Sequence, residues 1–199
     1  MPRITAKQFL DAFRKEWFRA VEEDRVNVAE SYCAGSTWTG FMLDGDDSLL
    51  RRVAESLSMT MEREWYRWDC IYHAGNDPMI PYGTFTACID AAIEHEGNPG
   101  SAEQEMYKMR MLLCSPLKVL ITYDTFPARE PNGMSDKLAE LLDIGIRADT
   151  EWPEAEGTEY LFLVGKQEQG DDLPHWRHMV AGSGRFRDCK PPSDCLRPL

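Results

Sequence analysis

The run Leu117-Lys118-Val119-Leu120-Ile121-Thr122-Tyr123 limits the fold of this chain more than any other stretch. It is nearly all apolar and bounded upstream by Pro116, so it reads as a strand buried on both faces. Glu159-Tyr160-Leu161-Phe162-Leu163-Val164-Gly165 is a second run of the same kind. Such strands occur where helices cover both faces of a sheet.

The remaining pattern supplies those helices. Residues 5–23 predict an amphipathic helix capped by Thr5, with Phe9, Phe13, Trp17 and Ala20 at helical spacing and Leu10 and Val21 widening the stripe. Residues 36–43 read as a first strand. Residues 46–59 read as a second helix with Leu49, Leu50, Val53 and Leu57 inward. A polar-aromatic strand over 65–73 precedes a loop at 76–83, which carries Asp77-Pro78 and Pro81. The strand 86–96 turns all of Ile89, Ala91 and Ile93 one way, and Asp90, Ala92, Glu94 and Glu96 the other. After the turn Gly97-Asn98-Pro99-Gly100, Ser101 and Gln104 form a capping-box pattern at the head of a helix over 102–114. Its expected inner stripe is Ala102, Met106, Met109 and Leu113. A further helix is expected at 135–144, with Leu138, Leu141 and Leu142 inward, and weaker strands at 178–181 and 185–187. From Lys190 onward the chain reads as an irregular tail. Without repeats or low-complexity segments, residues 1–199 predict one α/β domain, a mixed central sheet flanked by helices.

Composition narrows the function classes. A hydrophobic fraction of 43% excludes global disorder, and a net charge of −12 argues against a protein that coats nucleic acid by charge alone. Among the six cysteines, Cys70, Cys88 and Cys114 lie in apolar stretches, and no CxxC pair suggests structural zinc. Cys189 and Cys195 stand close enough in the Pro-rich tail to pair. The lack of a signal peptide or a membrane-length apolar run leads us to expect reduced thiols in a soluble cytoplasmic protein.

The sharpest chemical feature is Ile93-Glu94-His95-Glu96. Two-residue spacing on a strand puts both carboxylates on one face, roughly 7 Å apart by strand rise. At the end of an apolar strand they repel each other and lose hydration, so they need a cation, a basic partner or water. Asp69, between Trp68 and Cys70, is equally unexpected in its strand. If the strands are neighbours, Asp69 approaches Glu94 and makes an oxygen-rich cluster suited to Mg²⁺ or Mn²⁺. Plain alternatives stay open: Asp69 bonded to a nearby Arg or Trp, and Glu94 and Glu96 salt-bridged at an exposed strand end. Asp90 shares their face and either enters the site or caps a sheet edge. His95 points to the opposite face, whereas His73 shares the face of Asp69 and reaches toward the site's rim. His175 and His178 have no matching carboxylates in view and read as structural. Arg63, Arg67, Arg110 and Lys118 offer at most a modest phosphate-contacting patch.

Asp69 on one strand, Glu94-His95-Glu96 on the next, then a helix and the strand from Pro116 to Ile121 resemble the PD-(D/E)xK nuclease superfamily. Within it, Ala92-Ile93-Glu94-His95-Glu96 followed by a Glu- and Lys-bearing helix resembles small restriction-endonuclease-like proteins. The resemblance spans residues 5–165. Two positions depart from it: Trp68 precedes Asp69 in place of proline, and Glu96 stands where the family usually has lysine, although some restriction enzymes carry glutamate there. The resemblance implies a DNA-hydrolysing, metal-dependent phosphodiesterase. Asp69 and Glu94 would hold one or two divalent ions, and Glu96 would ligate a metal or accept a proton from water. Lys108 would be a substitute for the motif lysine, although helical spacing sets it off the inner stripe, and Glu16 would be a further carboxylate from the first helix. The acidity points to action with a protein partner, or on a substrate delivered by one, and a homodimer is a further expectation. Two rival readings are a nuclease fold without catalysis, serving binding or scaffolding, and an acidic inhibitor that imitates nucleic acid.

Overall fold

The computed structural model describes residues 4–65, 68–74, 89–98, 101–111, 115–124, 137–151, 157–167, 170–182 and 195–196. Helix α1 (Ala6–Cys33) begins with the expected cap: the Gln8 amide donates to the Thr5 hydroxyl while the Thr5 amide donates to the Gln8 side chain. Phe9, Phe13, Trp17, Ala20 and Val21 are buried along it. It runs on beyond residue 23 through a break at Asp24 (φ −156°, ψ 72°), whose carboxylate accepts the Asn27 amide and caps the second half.

The expected strand over 36–43 is instead helix α2 (Gly35–Leu43). Trp38 and Met42 are buried four residues apart, a helical spacing, and Trp38 packs against Tyr32, Phe41 and Tyr123. The aromatic residues that suggest a strand serve tertiary packing here, whereas Thr37 is exposed and the Thr39 hydroxyl donates to the Gly35 carbonyl of its own helix. Helix α3 (Leu49–Ser56) follows Ser48 and buries Leu49, Leu50, Val53 and Ala54. It is shorter than 46–59 because the chain leaves helical geometry at Ser58 (φ 57°).

Strand β1 (Thr60–Trp65) is absent from the sequence reading, which treats 65–73 as one strand. The chain instead reverses between Trp65 and Trp68, which pair with each other, and returns as β2 (Trp68–His73). No Asn-Gly or Gly-rich signal marks this hairpin. Strand β3 (Ala91–His95) is antiparallel to β2. Helix α4 (Ala102–Met111) leads to β4 (Leu117–Tyr123), and helix α5 (Lys137–Glu151) leads to β5 (Glu159–Lys166). β3, β4 and β5 are mutually parallel, as short strands joined through helices require. β6 (His175–Gly182) returns antiparallel to β5, and the tail adds a two-residue strand β7 (Cys195–Leu196) against β6. The described strands lie in sequence order, β1-β2-β3-β4-β5-β6-β7, in one mixed sheet. The expected loop at 76–83 and the weak strand at 185–187 lie outside the described residues.

Helices pack on both faces. α1, α2 and α3 cover the side that carries Cys70, Tyr72, Ala91, Ile93, Val119, Ile121, Leu161 and Leu163. α4 and α5, through Met106, Met109, Leu141 and Ile144, cover the side with Ile71, Ala92, Leu120, Tyr160 and Phe162. Every residue of β4 is buried, as its apolar run demands. No helix among the described residues is long and apolar enough to cross a membrane.

Candidate acidic site between β2, β3 and α4

The β2–β3 register pairs Cys70 with Ile93, and one further step along it sets Asp69 opposite Glu94. Both side chains belong to the face covered by α4. Like charges directly opposite each other on a sheet are destabilising, so this placement needs compensation. The His95 amide donates to Asp69 Oδ2 at 2.7 Å, and Lys108, on α4, sets its Nζ 2.7 Å from Glu94 Oε1. The same ammonium lies 2.8 Å from Glu105 Oε2 and 5.6 Å from the centre of the Trp68 ring.

The electrostatics follow from the burial. Glu94 is 2% exposed. Desolvation pushes its carboxyl up to about 9; Lys108 opposes that shift, and the neighbouring Asp69 adds to it. Asp69 is raised above the ordinary aspartate range chiefly by burial, against the pull of the His95 amide and Lys108. For Lys108, burial works to lower the pKa, but the bonds to Glu105 and Glu94 outweigh it and hold the ammonium above its usual value. Glu94 Oε1 and Glu105 Oε2 accept no well-directed hydrogen bond in spite of the short approach of Lys108.

Asp69 and Glu94 are thus brought together. Glu96 is not brought to them: it lies past the end of β3, and its carboxylate accepts the Asn98 amide at 2.6 Å within the following turn. The strict alternation that sets Glu94 and Glu96 side by side stops with the strand. Lys108, set aside by helical spacing, reaches the site because it is next to the buried Met109 and its flexible stem carries the charge back over the sheet. Glu105 was missed altogether; its signal is the i,i+3 pairing with Lys108 on one helix face.

The other expected positions fall elsewhere. Glu16 is buried in the layer on the opposite side of the sheet, where the Ser56 hydroxyl donates to it at 2.5 Å and Lys15 and Arg19 pair with it. His73 shares the face of Asp69 but stands at the far end of β2, bound to Glu62 on β1 at 3.0 Å. Asp90 accepts the Ala74 amide and so ties the edge of β2–β3. His175 does have a carboxylate partner, Asp171, at 2.5 Å, contrary to the sequence reading. Arg63 pairs with Asp44, whereas Arg110 and Lys118 are buried against the Tyr160 ring, so these cations form no joint surface patch; Arg67 lies outside the described residues. His95 turns its imidazole to the other face, as strand alternation requires, and there meets the Tyr123 hydroxyl at 2.8 Å. Cys70 is fully buried and burial pushes its thiol well above the ordinary range, which rules it out as a nucleophile at neutral pH.

Among the described residues no three His, Cys, Asp or Glu side chains stand close enough to enclose a metal ion as they are. Two facing carboxylates are still a sufficient protein contribution for Mg²⁺, which keeps several waters and usually takes only one or two carboxylates. Comparison with known protein families and with curated proteins gives no match to this chain.

Proposed function

We propose that this chain is a metal-dependent phosphodiesterase of the nuclease type that acts on DNA. One observation carries the reading: Asp69 and Glu94 face each other on adjacent antiparallel strands with the Lys108 ammonium 2.7 Å from Glu94. Two carboxylates and a lysine in one cluster are the groups that phosphodiester hydrolysis uses. The order of elements supports the same reading, because the strand of Asp69, the antiparallel strand of Glu94, a helix and a parallel strand follow one another as the resemblance to PD-(D/E)xK nucleases implies.

Asp69 and Glu94 would hold the divalent ion, with Lys108 paired to Glu94 Oε1 when no ion is bound. When bound, Mg²⁺ or Mn²⁺ activates water and offsets charge on the phosphate. Lys108 takes the part of the motif lysine replaced by Glu96. From α4 it orients the attacking water and offsets negative charge as it develops on the phosphate oxygens. The His95 amide fixes Asp69 so that its carboxylate is preorganised. With a net charge of −12, the chain approaches DNA together with a different protein partner that supplies positive charge.

The reading is tested by incubating plasmid and single-stranded DNA with the protein and Mn²⁺, beside a Glu94→Ala control. Cleavage that persists in the control sinks it. A second reading, a binding domain without catalysis, is favoured by the neutralisation of Glu94 by Lys108. It predicts no Mn²⁺-dependent rise in melting temperature.

A further inference from the structure

We infer that Lys108 is a displaceable counter-cation: its ammonium holds the place of the divalent ion at Glu94 and must leave that carboxylate for the ion to bind, with Glu105 retaining it. The inference rests on the reading of Asp69 and Glu94 as an ion site.

Three observations carry it. First, the ammonium stands 2.7 Å from Glu94 Oε1, so a divalent ion and Lys108 compete for one oxygen. Contact between a carboxylate oxygen and a hard cation is closer than that, roughly 2.0–2.6 Å, and two cations at such range of one another repel strongly. Second, the hold on Glu94 is imperfect. The carboxylate is 2% exposed and its Oε1 is met by an ammonium that is shared with Glu105, off the line of a well-directed hydrogen bond, so the charge of Glu94 is only partly compensated. Third, Lys108 keeps partners when Glu94 is given up. Its side chain is 29% exposed, Glu105 lies one helical turn back at 2.8 Å, and the Trp68 ring offers its face at 5.6 Å. A four-carbon stem swings between such partners at little cost. Glu105 and Trp68 therefore set how readily the site is vacated.

The test is Mn²⁺ binding to the nucleic-acid-free protein, followed by titration calorimetry and by melting temperature. In Lys108→Met the competing ammonium is gone: Mn²⁺ should bind at least about tenfold more tightly than in the parent, about 1.4 kcal/mol, and its binding should release a proton from Glu94. The ion-free variant should melt lower than the parent and recover with Mn²⁺. In Glu105→Gln, Lys108 loses its alternative partner and clings to Glu94, so Mn²⁺ should bind several-fold more weakly. Equal or weaker binding in Lys108→Met overturns the inference and leaves the ion site standing. No binding in either Lys108→Met or the parent removes the ion site itself, and the inference with it. Should Lys108→Met fail to fold, unchanged or tighter binding in Glu105→Gln overturns the inference by itself.

Discussion

His95 and Tyr123 meet at 2.8 Å on the face of the sheet opposite Glu94, although His95 follows Glu94 directly in the chain. The Trp38 indole N–H donates to the same Tyr123 oxygen at 2.5 Å, and in the tautomer of His95 that carries its proton on Nδ1 the Tyr123 hydroxyl donates to Nε2. Burial depresses the His95 pKa to about 4, which keeps it neutral and able to accept.

The burial of His95 makes stability depend on pH with a definite sign. The folded pKa of about 4 lies below the ordinary 6.5, so the unfolded chain binds the proton first on acidification. The contribution is fully present above about pH 6.5 and is lost as the pH falls through the folded value, at most about 3 kcal/mol. Glu94, raised to about 9, slopes the other way: its contribution is present below the ordinary glutamate range and fades as the pH rises toward 9. Urea melts of the parent and His95→Gln between pH 7.5 and 4.5 separate the two. The variant should lose the acid-side fall, and an identical profile in both proteins would show that His95 does not govern it.

Gly165 lies between Tyr123 on β4 and Trp176 on β6 in the ladder. A Cβ there would stand 2.8 Å from Tyr123 Cδ1 and 3.2 Å from a Trp176 ring carbon. Both rings are buried and neither can retreat, so Gly165→Ala should cost about 1–3 kcal/mol in urea denaturation. A loss below about 0.5 kcal/mol would mean that the rings adjust freely.

On the proposed nuclease reading, removal of the Lys108 charge should slow Mn²⁺-dependent DNA cleavage by about a hundredfold or more in Lys108→Met, the usual scale for one charge-stabilising group at a reacting phosphate. Tighter metal binding with slower cleavage in the same variant would be a signature that a merely structural lysine does not produce. Unaltered cleavage at saturating Mn²⁺ would take Lys108 out of the reaction.

Glu16 lies on the far side of the sheet and is held by Ser56, Lys15 and Arg19. Glu16→Gln should lower stability by about 1–3 kcal/mol because a buried, charge-assisted network is weakened. The rise in melting temperature on adding Mn²⁺ should match that of the parent. A variant of parental stability that fails to respond to Mn²⁺ would put Glu16 back into the ion site.

The sequence by itself determined the layered α/β plan. Apolar runs such as Leu117–Tyr123 have no stable place except between helices, and strand periodicity already set Glu94 and His95 on opposite faces. It also marked Asp69 and Glu94 as misplaced charges, since a carboxylate among apolar neighbours is costly wherever the chain goes. Only the tertiary structure decided what compensates them. Helical spacing gives the direction of a Cβ and not the reach of a lysine, so the contact of Lys108 with Glu94, and any part for Glu105, were decided only once α4 lay over β2 and β3. The strand-like residues 36–43 became helical for a similar reason, because Trp38 is buried against Tyr123, a partner 85 residues away whose position no local pattern encodes. Glu96 left the site because pairing ends at His95, and where a ladder ends is set by the neighbouring strand as much as by the residues themselves.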